Sequence, residues 1–402
     1  MLYWFHCIVK TPVLRFSGRV PSDVTPNRIT AVLAGLRSRG VSITDLTESN
    51  PTRVGLAYRD DLLESLADRA ALTYEPSPFG LECARTEVAG DYRRRGLEVD
   101  PARIVLTAST SEAYSLLFKL LCDPDDEVLV PRPSYPLFDH LTRLDAVRAR
   151  PYLLTYDGVW TIDLDSVRAA LTSRTRAVII VSPNNPTGSF VAADEIAALS
   201  RLCAERGLAL IGDEVFADYA FDDHPGLHPS VLAEPLALTF GLGGLSKSAA
   251  LPQIKLGWMA AAGPPPLLDA ALARLEIVAD AYLSVSTPVQ RASGTLIARG
   301  AERRDRVRAR VVGNYRQLAA LARDHPACTM LPVRGGWSAV VQVPATGSEE
   351  ALVLTLLERD HVLVHPGYFF DFPREAFLVL SLLPEPRLFR DGAGKVLRRA
   401  VE

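Results

Sequence analysis

The chain reads as an α/β protein, with a mostly parallel sheet covered by helices on both faces and a second, smaller α+β domain. Three observations predict this. Short apolar runs alternate with helical patterns through the middle of the chain. Those runs are continuously apolar, as strands buried on both faces are. The pattern changes after Gly263-Pro264-Pro265-Pro266, where long helical segments begin. With 402 residues, 48% of them apolar, the chain can bury cores for two domains.

The expected order of elements is as follows. Residues 1–45 form an N-terminal arm that joins the small domain. The stretch from Met1 to Val9 is apolar but lacks the basic region and small-residue cleavage site of a signal peptide. Residues 46–266 form the large domain. Ile104 to Leu106, Glu127 to Val130, Ala177 to Val181, Leu208 to Ile211 and Leu236 to Phe240 read as strands. Ser111 to Leu121, Asp163 to Ala170 and Asp194 to Arg206 read as helices between them. Residues 267–402 form the small domain, with helices at Leu267 to Ala281 and Ala301 to Arg323 and strands at Ala339 to Val343 and Phe377 to Leu382. Arg303, Arg304, Arg306, Arg308 and Arg310, interleaved with Glu302 and Asp305, are expected on a solvated helix face.

Composition removes several function classes. A net charge of −3, with both signs interspersed, offers no basic field for nucleic acid. No apolar run approaches the roughly 18 residues of a membrane span. Cys7, Cys83, Cys122, Cys203 and Cys328 are odd in number and show no Cys-x-x-Cys spacing. That argues against a disulfide framework or a zinc site and fits a reducing cytoplasm.

Three polar segments carry chemistry. Lys247 stands in Gly243-Gly244-Leu245-Ser246-Lys247, where a lysine can form a Schiff base with an aldehyde. Asp213 ends the run Leu208 to Gly212, where a carboxylate can keep a pyridinium nitrogen protonated. Asn185 lies in Ser182-Pro183-Asn184-Asn185-Pro186-Thr187-Gly188 after a further strand. All three follow strand candidates, and ligands of parallel sheets sit beyond the carboxyl ends of strands. Gly241 to Ser248 also approaches a phosphate-binding P-loop. Ser246 replaces the glycine needed before the lysine, however, and the acidic strand precedes the loop instead of following it.

In this order the segments resemble the fold-type-I pyridoxal 5′-phosphate (PLP) aminotransferases of class I and II, from about Leu46 to the C-terminus. The resemblance implies that Lys247 forms the internal aldimine and moves the substrate α-proton, that Asp213 pairs with the ring nitrogen, and that Asn185 bonds the ring O3′ and reaches the substrate. It implies phosphate contacts from Ser109, Thr110 and Ser111 and from Lys255, stacking by Tyr135, and a Tyr74 that crosses a homodimer interface to the phosphate. The implied activity is transfer of an amino group from an amino acid to a 2-oxo acid in ping-pong half-reactions. A lyase, cyclase or decarboxylase of the same fold is the alternative.

The chain departs from the family pattern at four positions. Phe216 replaces a tyrosine, Gly244 a phosphate-binding serine and Lys255 an arginine. Val379, in Phe377-Leu378-Val379-Leu380-Ser381, takes the position of the arginine that pairs with the substrate carboxylate. Three readings of that absence stand open: Arg53, Arg132 or Arg334 holds the carboxylate instead, the substrate lacks a free α-carboxylate there, or the enzyme uses PLP for another reaction.

Overall fold

The computed structural model describes residues 14–221 and 230–402. The apolar start and Cys7 lie outside the described residues. The large sheet has eight strands in the order Ile104–Thr107, Gly257–Ala262, Thr239–Gly244, Ala209–Asp213, Thr175–Val181, Glu127–Arg132, Arg148–Tyr156 and Trp160–Ile162. The five from Thr239–Gly244 to Arg148–Tyr156 are parallel. Gly257–Ala262 runs antiparallel to both of its neighbours.

Both faces of the central strands of this sheet are dry, and the strand period shows it. Ala177, Ile179 and Val181 pack with helices Thr110–Leu121 and Pro265–Asp280, while Val178 and Ile180 pack with Leu164–Ala170 and Ala193–Arg206. Ile179 and Ile180 have no exposed surface. Burial of each contributes about 1.5–3 kcal/mol.

A second, four-stranded antiparallel sheet runs in the order Thr329–Met330, Ser338–Gln342, Phe377–Ser381, His365–Pro366. Ile29 and Leu36 of helix Arg28–Ser38 pack into its core, and Thr44–Asp45 pairs with Val362–Leu363. The 37-residue helix Thr287–Arg323 links the cores. Its Ala292 and Leu296 pack beside Ile104 and Trp258, and its Val307, Val311 and Leu318 pack beside Leu378 and Leu380.

Two local expectations change. The arginines of the long helix are not simply solvated. Arg303 is buried over the Tyr58 ring (4.0 Å) and donates to the carbonyls of Ala57 and Pro51. Arg308 donates to the Ala220 carbonyl and Arg310 to those of Val54 and Leu383. These guanidiniums satisfy loop carbonyls that pass over the helix, a demand that charge patterning does not reveal.

The second change concerns the glycine run before Lys247, which is the end of a strand and not a loop. A Cβ at Gly243 would lie 2.5 Å from Trp258 Nε1, and one at Gly241 would lie 2.9 Å from Leu232 Cδ1. Glycine there admits large neighbours against the strand.

Candidate active site

The carboxyl ends of the parallel strands and one face of the small sheet enclose a cavity of about 390 Å³. Its lining includes Ser109, Thr110, Ser111, Tyr135, Asn185, Asp213 and Lys247, so seven of the sequence-predicted residues meet there. Lys247 sits on the short helical turn Leu245–Ser248 that follows its strand directly. Its Nζ lies 4.8 Å from the Trp337 ring centroid and 5.4 Å from that of Phe216. Burial pulls its pKa down to about 8, against the opposing pull of Asp213. Tyr219 fixes the turn by donating to the Lys247 carbonyl at 2.6 Å, and Tyr58 donates to that of Ala250 at 2.5 Å.

Asp213 is a buried carboxylate whose pKa is pushed up to about 6. Desolvation is the main cause, opposed by hydrogen bonds from the Val215 N–H (3.2 Å) and the Tyr114 hydroxyl (3.0 Å). A buried carboxylate of this kind favours a cationic partner over solitary ionisation.

Also in the cavity wall, Ser109 caps helix Thr110–Leu121 and accepts from the Glu112 N–H at 3.2 Å. Glu112 in turn accepts from the Ala108 N–H. The first-turn N–H groups have no partner inside the helix, and with the adjacent hydroxyls they suit an anion. Gly257 makes this approach possible, since a Cβ there would lie 3.0 Å from the Ser109 carbonyl carbon. A lysine for an aldehyde, a carboxylate for a ring nitrogen and a helix N-terminus for a phosphate are together in one cavity. The residues therefore fit a phosphorylated pyridine aldehyde.

The two asparagines of the Pro183-to-Gly188 loop divide the work. Asn184 is internal, donating to Thr187 Oγ1 (2.9 Å) and to the Pro133 carbonyl (3.1 Å). Asn185 faces the cavity, and its Oδ1 accepts from Ser338 at 3.4 Å.

Five predicted residues stand apart. Lys255, Arg53 and Arg334 are exposed and do not line the cavity. Tyr74 is 66% exposed and borders a surface cleft with Gly80 and Ser284. Arg132 is also outside the lining and pairs with Asp371 at 3.3 Å.

Sequence reasoning did not single out Tyr114, Trp337, Ser338 or His365, which line the site. Tyr114 lies inside a helix and reads as a core aromatic. Trp337, Ser338 and His365 come from the small domain, and only the fold brings them to Lys247. Among the described residues there is no group of three His, Cys, Asp or Glu side chains placed to hold a metal, and no helix long and apolar enough to cross a membrane.

This arrangement is a cavity built around a buried lysine of lowered pKa, with a buried carboxylate beside it. The chain belongs to the family Aminotransferase class I and II, whose pattern matches residues 43–385, and it is an aminotransferase. It is 27% identical over 360 residues to the glutamate-pyruvate aminotransferase AlaA of Escherichia coli (strain K12), covering 87% of this chain and 88% of that protein. It is 27% identical over 368 residues to an alanine aminotransferase of Mycobacterium bovis, covering 88% and 84% respectively. A crystal structure of an aminotransferase from Escherichia coli superposes with a TM-score of 0.83 at 25% identity, covering 96% of this chain and 98% of the other. The fold is accordingly that of the fold-type-I enzymes, and the lyase, cyclase or decarboxylase alternative is not favoured.

Proposed function

We propose that the cofactor is PLP, attached through Lys247, and that the enzyme exchanges amino groups between an amino acid and a 2-oxo acid in two half-reactions. The observation that carries this reading is the shared burial of Lys247 and Asp213 in one cavity. When bound, PLP supplies an aldehyde for the substrate amine and an electron-poor ring that stabilises charge on the substrate α-carbon.

The chain's own residues supply the rest. Asp213, held by Tyr114 and the Val215 N–H, keeps a proton on the ring nitrogen, and that cation draws its own pKa back down. Lys247 takes the proton from the substrate α-carbon. Its lowered pKa leaves a useful neutral fraction near pH 8. Phe216 and Trp337 keep water from its amine. Of the lining residues, Tyr135 would hold the ring, the amide of Asn185 would serve the ring oxygen and the substrate, and Ser109, Thr110 and Ser111 would hold the phosphate.

The relatives are named for alanine and for glutamate and pyruvate, which makes L-alanine and L-glutamate the first donors to test. We place the protein in the cytoplasm as a homodimer in which Tyr74 and Lys255 complete the phosphate site. The exposure of Tyr74 supports this arrangement.

The test is the visible spectrum of PLP-loaded protein titrated with single amino acids and no acceptor. Conversion of the bound cofactor to its amine form, reversed by a 2-oxo acid, is the expected result. Product release without that conversion would move the enzyme to lyase chemistry.

A further inference from the structure

The small-domain wall of the cavity places His365 directly across from Val379 on adjacent antiparallel strands, and Ser338 across from Ser381. Paired residues of antiparallel strands share a face, and all four line the cavity. Ser381 spends its proton on the Glu48 carbonyl (2.6 Å), and Ser338 donates to Asn185 Oδ1 (3.4 Å). Val379 offers nothing polar.

His365 stands apart from these. Its ring packs beside Phe369 and Phe370 (5.7 Å to each centroid), and neither ring nitrogen has a hydrogen-bond partner among the described residues. Among the described residues that line the cavity, the side chains able to carry positive charge are Lys247 and His365. Lys247 is committed to the cofactor. Arg53, Arg132 and Arg334 lie outside the lining.

An amino acid entering this cavity brings a carboxylate. Burying that charge without a cationic or hydrogen-bonding partner is strongly unfavourable. We infer that His365 binds the substrate carboxylate, with the Asn185 amide as the second donor, taking the part that an arginine at position 379 would otherwise play. This deepens the aminotransferase reading and rests on it.

Burial alone holds His365 below its ordinary pKa, and Asp45 pulls it up. Asp45 faces it from the strand Thr44–Asp45, where it also accepts from Thr47 and lies 3.6 Å from Arg37. A substrate carboxylate adds to the pull of Asp45 and stabilises the imidazolium. A single imidazolium lacks the two parallel donors of a guanidinium, which leaves this anchor weaker than an Arg pair.

The experiment uses the PLP-loaded full chain. The apparent Kd is read from cofactor absorbance for the amino acid that responds in the titration above, and for the primary amine that is the same molecule without its carboxyl group. His365→Ala is expected to weaken the amino acid by about tenfold or more while the amine stays within about twofold. His365→Gln, which keeps a donor, recovers part of the loss, and His365→Ala with Val379→Arg recovers most of it. Equal effects on both ligands, or none on either, would overturn the assignment.

Should His365→Ala fail to fold, Val379→Arg alone decides. Tighter binding of the amino acid relative to the amine supports a carboxylate at this wall, and an unchanged ratio overturns it. A folded wild-type enzyme that responds to no amino acid would instead sink the aminotransferase reading, and this inference with it.

Discussion

Lys247 and Asp213 each carry a cost in the cofactor-free protein. For Lys247 the folded pKa, about 8, lies below its unfolded value, so charge is penalised. The penalty is full below about pH 8 and vanishes above the unfolded pKa. Lys247→Met should therefore stabilise the apoprotein at pH 7 by on the order of 3 kcal/mol, a gain that fades as pH rises past 10. Thermal melts of apoprotein across this range check it. The neutral amine is the nucleophile, so colour development on adding PLP to wild-type apoprotein should speed up as pH rises through about 8.

Asp213 behaves in the opposite sense. Its folded pKa, about 6, is raised, so its ionisation destabilises the apoprotein as pH rises from about 4 through 6. Asp213→Asn should raise the apoprotein melting temperature at pH 7, with the difference gone below pH 4. The same change should lower kcat by about a hundredfold or more, since an amide holds the ring-nitrogen proton far less well. Stopped-flow half-reactions measure the second effect.

Strand ends and turns set the geometry that these residues use. The Lys247 turn lies against the long helix at Gly300, where an added Cβ would come within 2.4 Å of the Ala249 Cβ. Gly300→Ala should push that turn aside and weaken PLP binding by about tenfold at a modest cost in stability, as equilibrium dialysis would show. Gly188 closes the Asn185 loop with φ of +65°, and a Cβ there would sit 2.4 Å from Val333 Cγ1 and 2.5 Å from the Gly335 carbonyl oxygen. Gly188→Ala carries both backbone strain and a clash with Val333 and Gly335, in the segment that leads to Trp337. It should destabilise the fold by about 2 kcal/mol or more in denaturant titration.

The continuously apolar strands and the helices between them were legible because burial on both faces leaves a compositional mark. The antiparallel strand Gly257–Ala262 was not. Its insertion between Ile104–Thr107 and Thr239–Gly244 is decided by pairing between distant segments, which local pattern does not encode.

At the scale of the whole molecule, the cavity exists only where two domains meet. The large domain contributes Lys247, Asp213, Asn185 and the helix N-terminus, and the small sheet closes it with Trp337, Ser338, His365 and Val379. If the exposed Tyr74 reaches into a second copy's cavity, each site is built from two chains. Mixing inactive Lys247→Ala protein with impaired Tyr74→Ala protein, after subunit exchange, should then recover activity, because each mixed dimer holds one intact site. Activity that stays at the level of the Tyr74→Ala parent would contradict that arrangement.

The α/β class was legible in the sequence by itself, and so was the choice of Lys247, Asp213, Asn185 and Ser109 to Ser111, which the fold gathers in one cavity, because each depends on residue types at short spacing beside an apolar strand. The family resemblance also placed Val379 where an arginine is expected. Only the tertiary structure decided what stands there instead. His365 is separated from Val379 along the chain and becomes its neighbour through antiparallel register. The same holds for the Tyr114 bond to Asp213 and the carbonyl-binding role of Arg303, since contacts between distant segments follow from packing, and packing leaves no local signature in sequence.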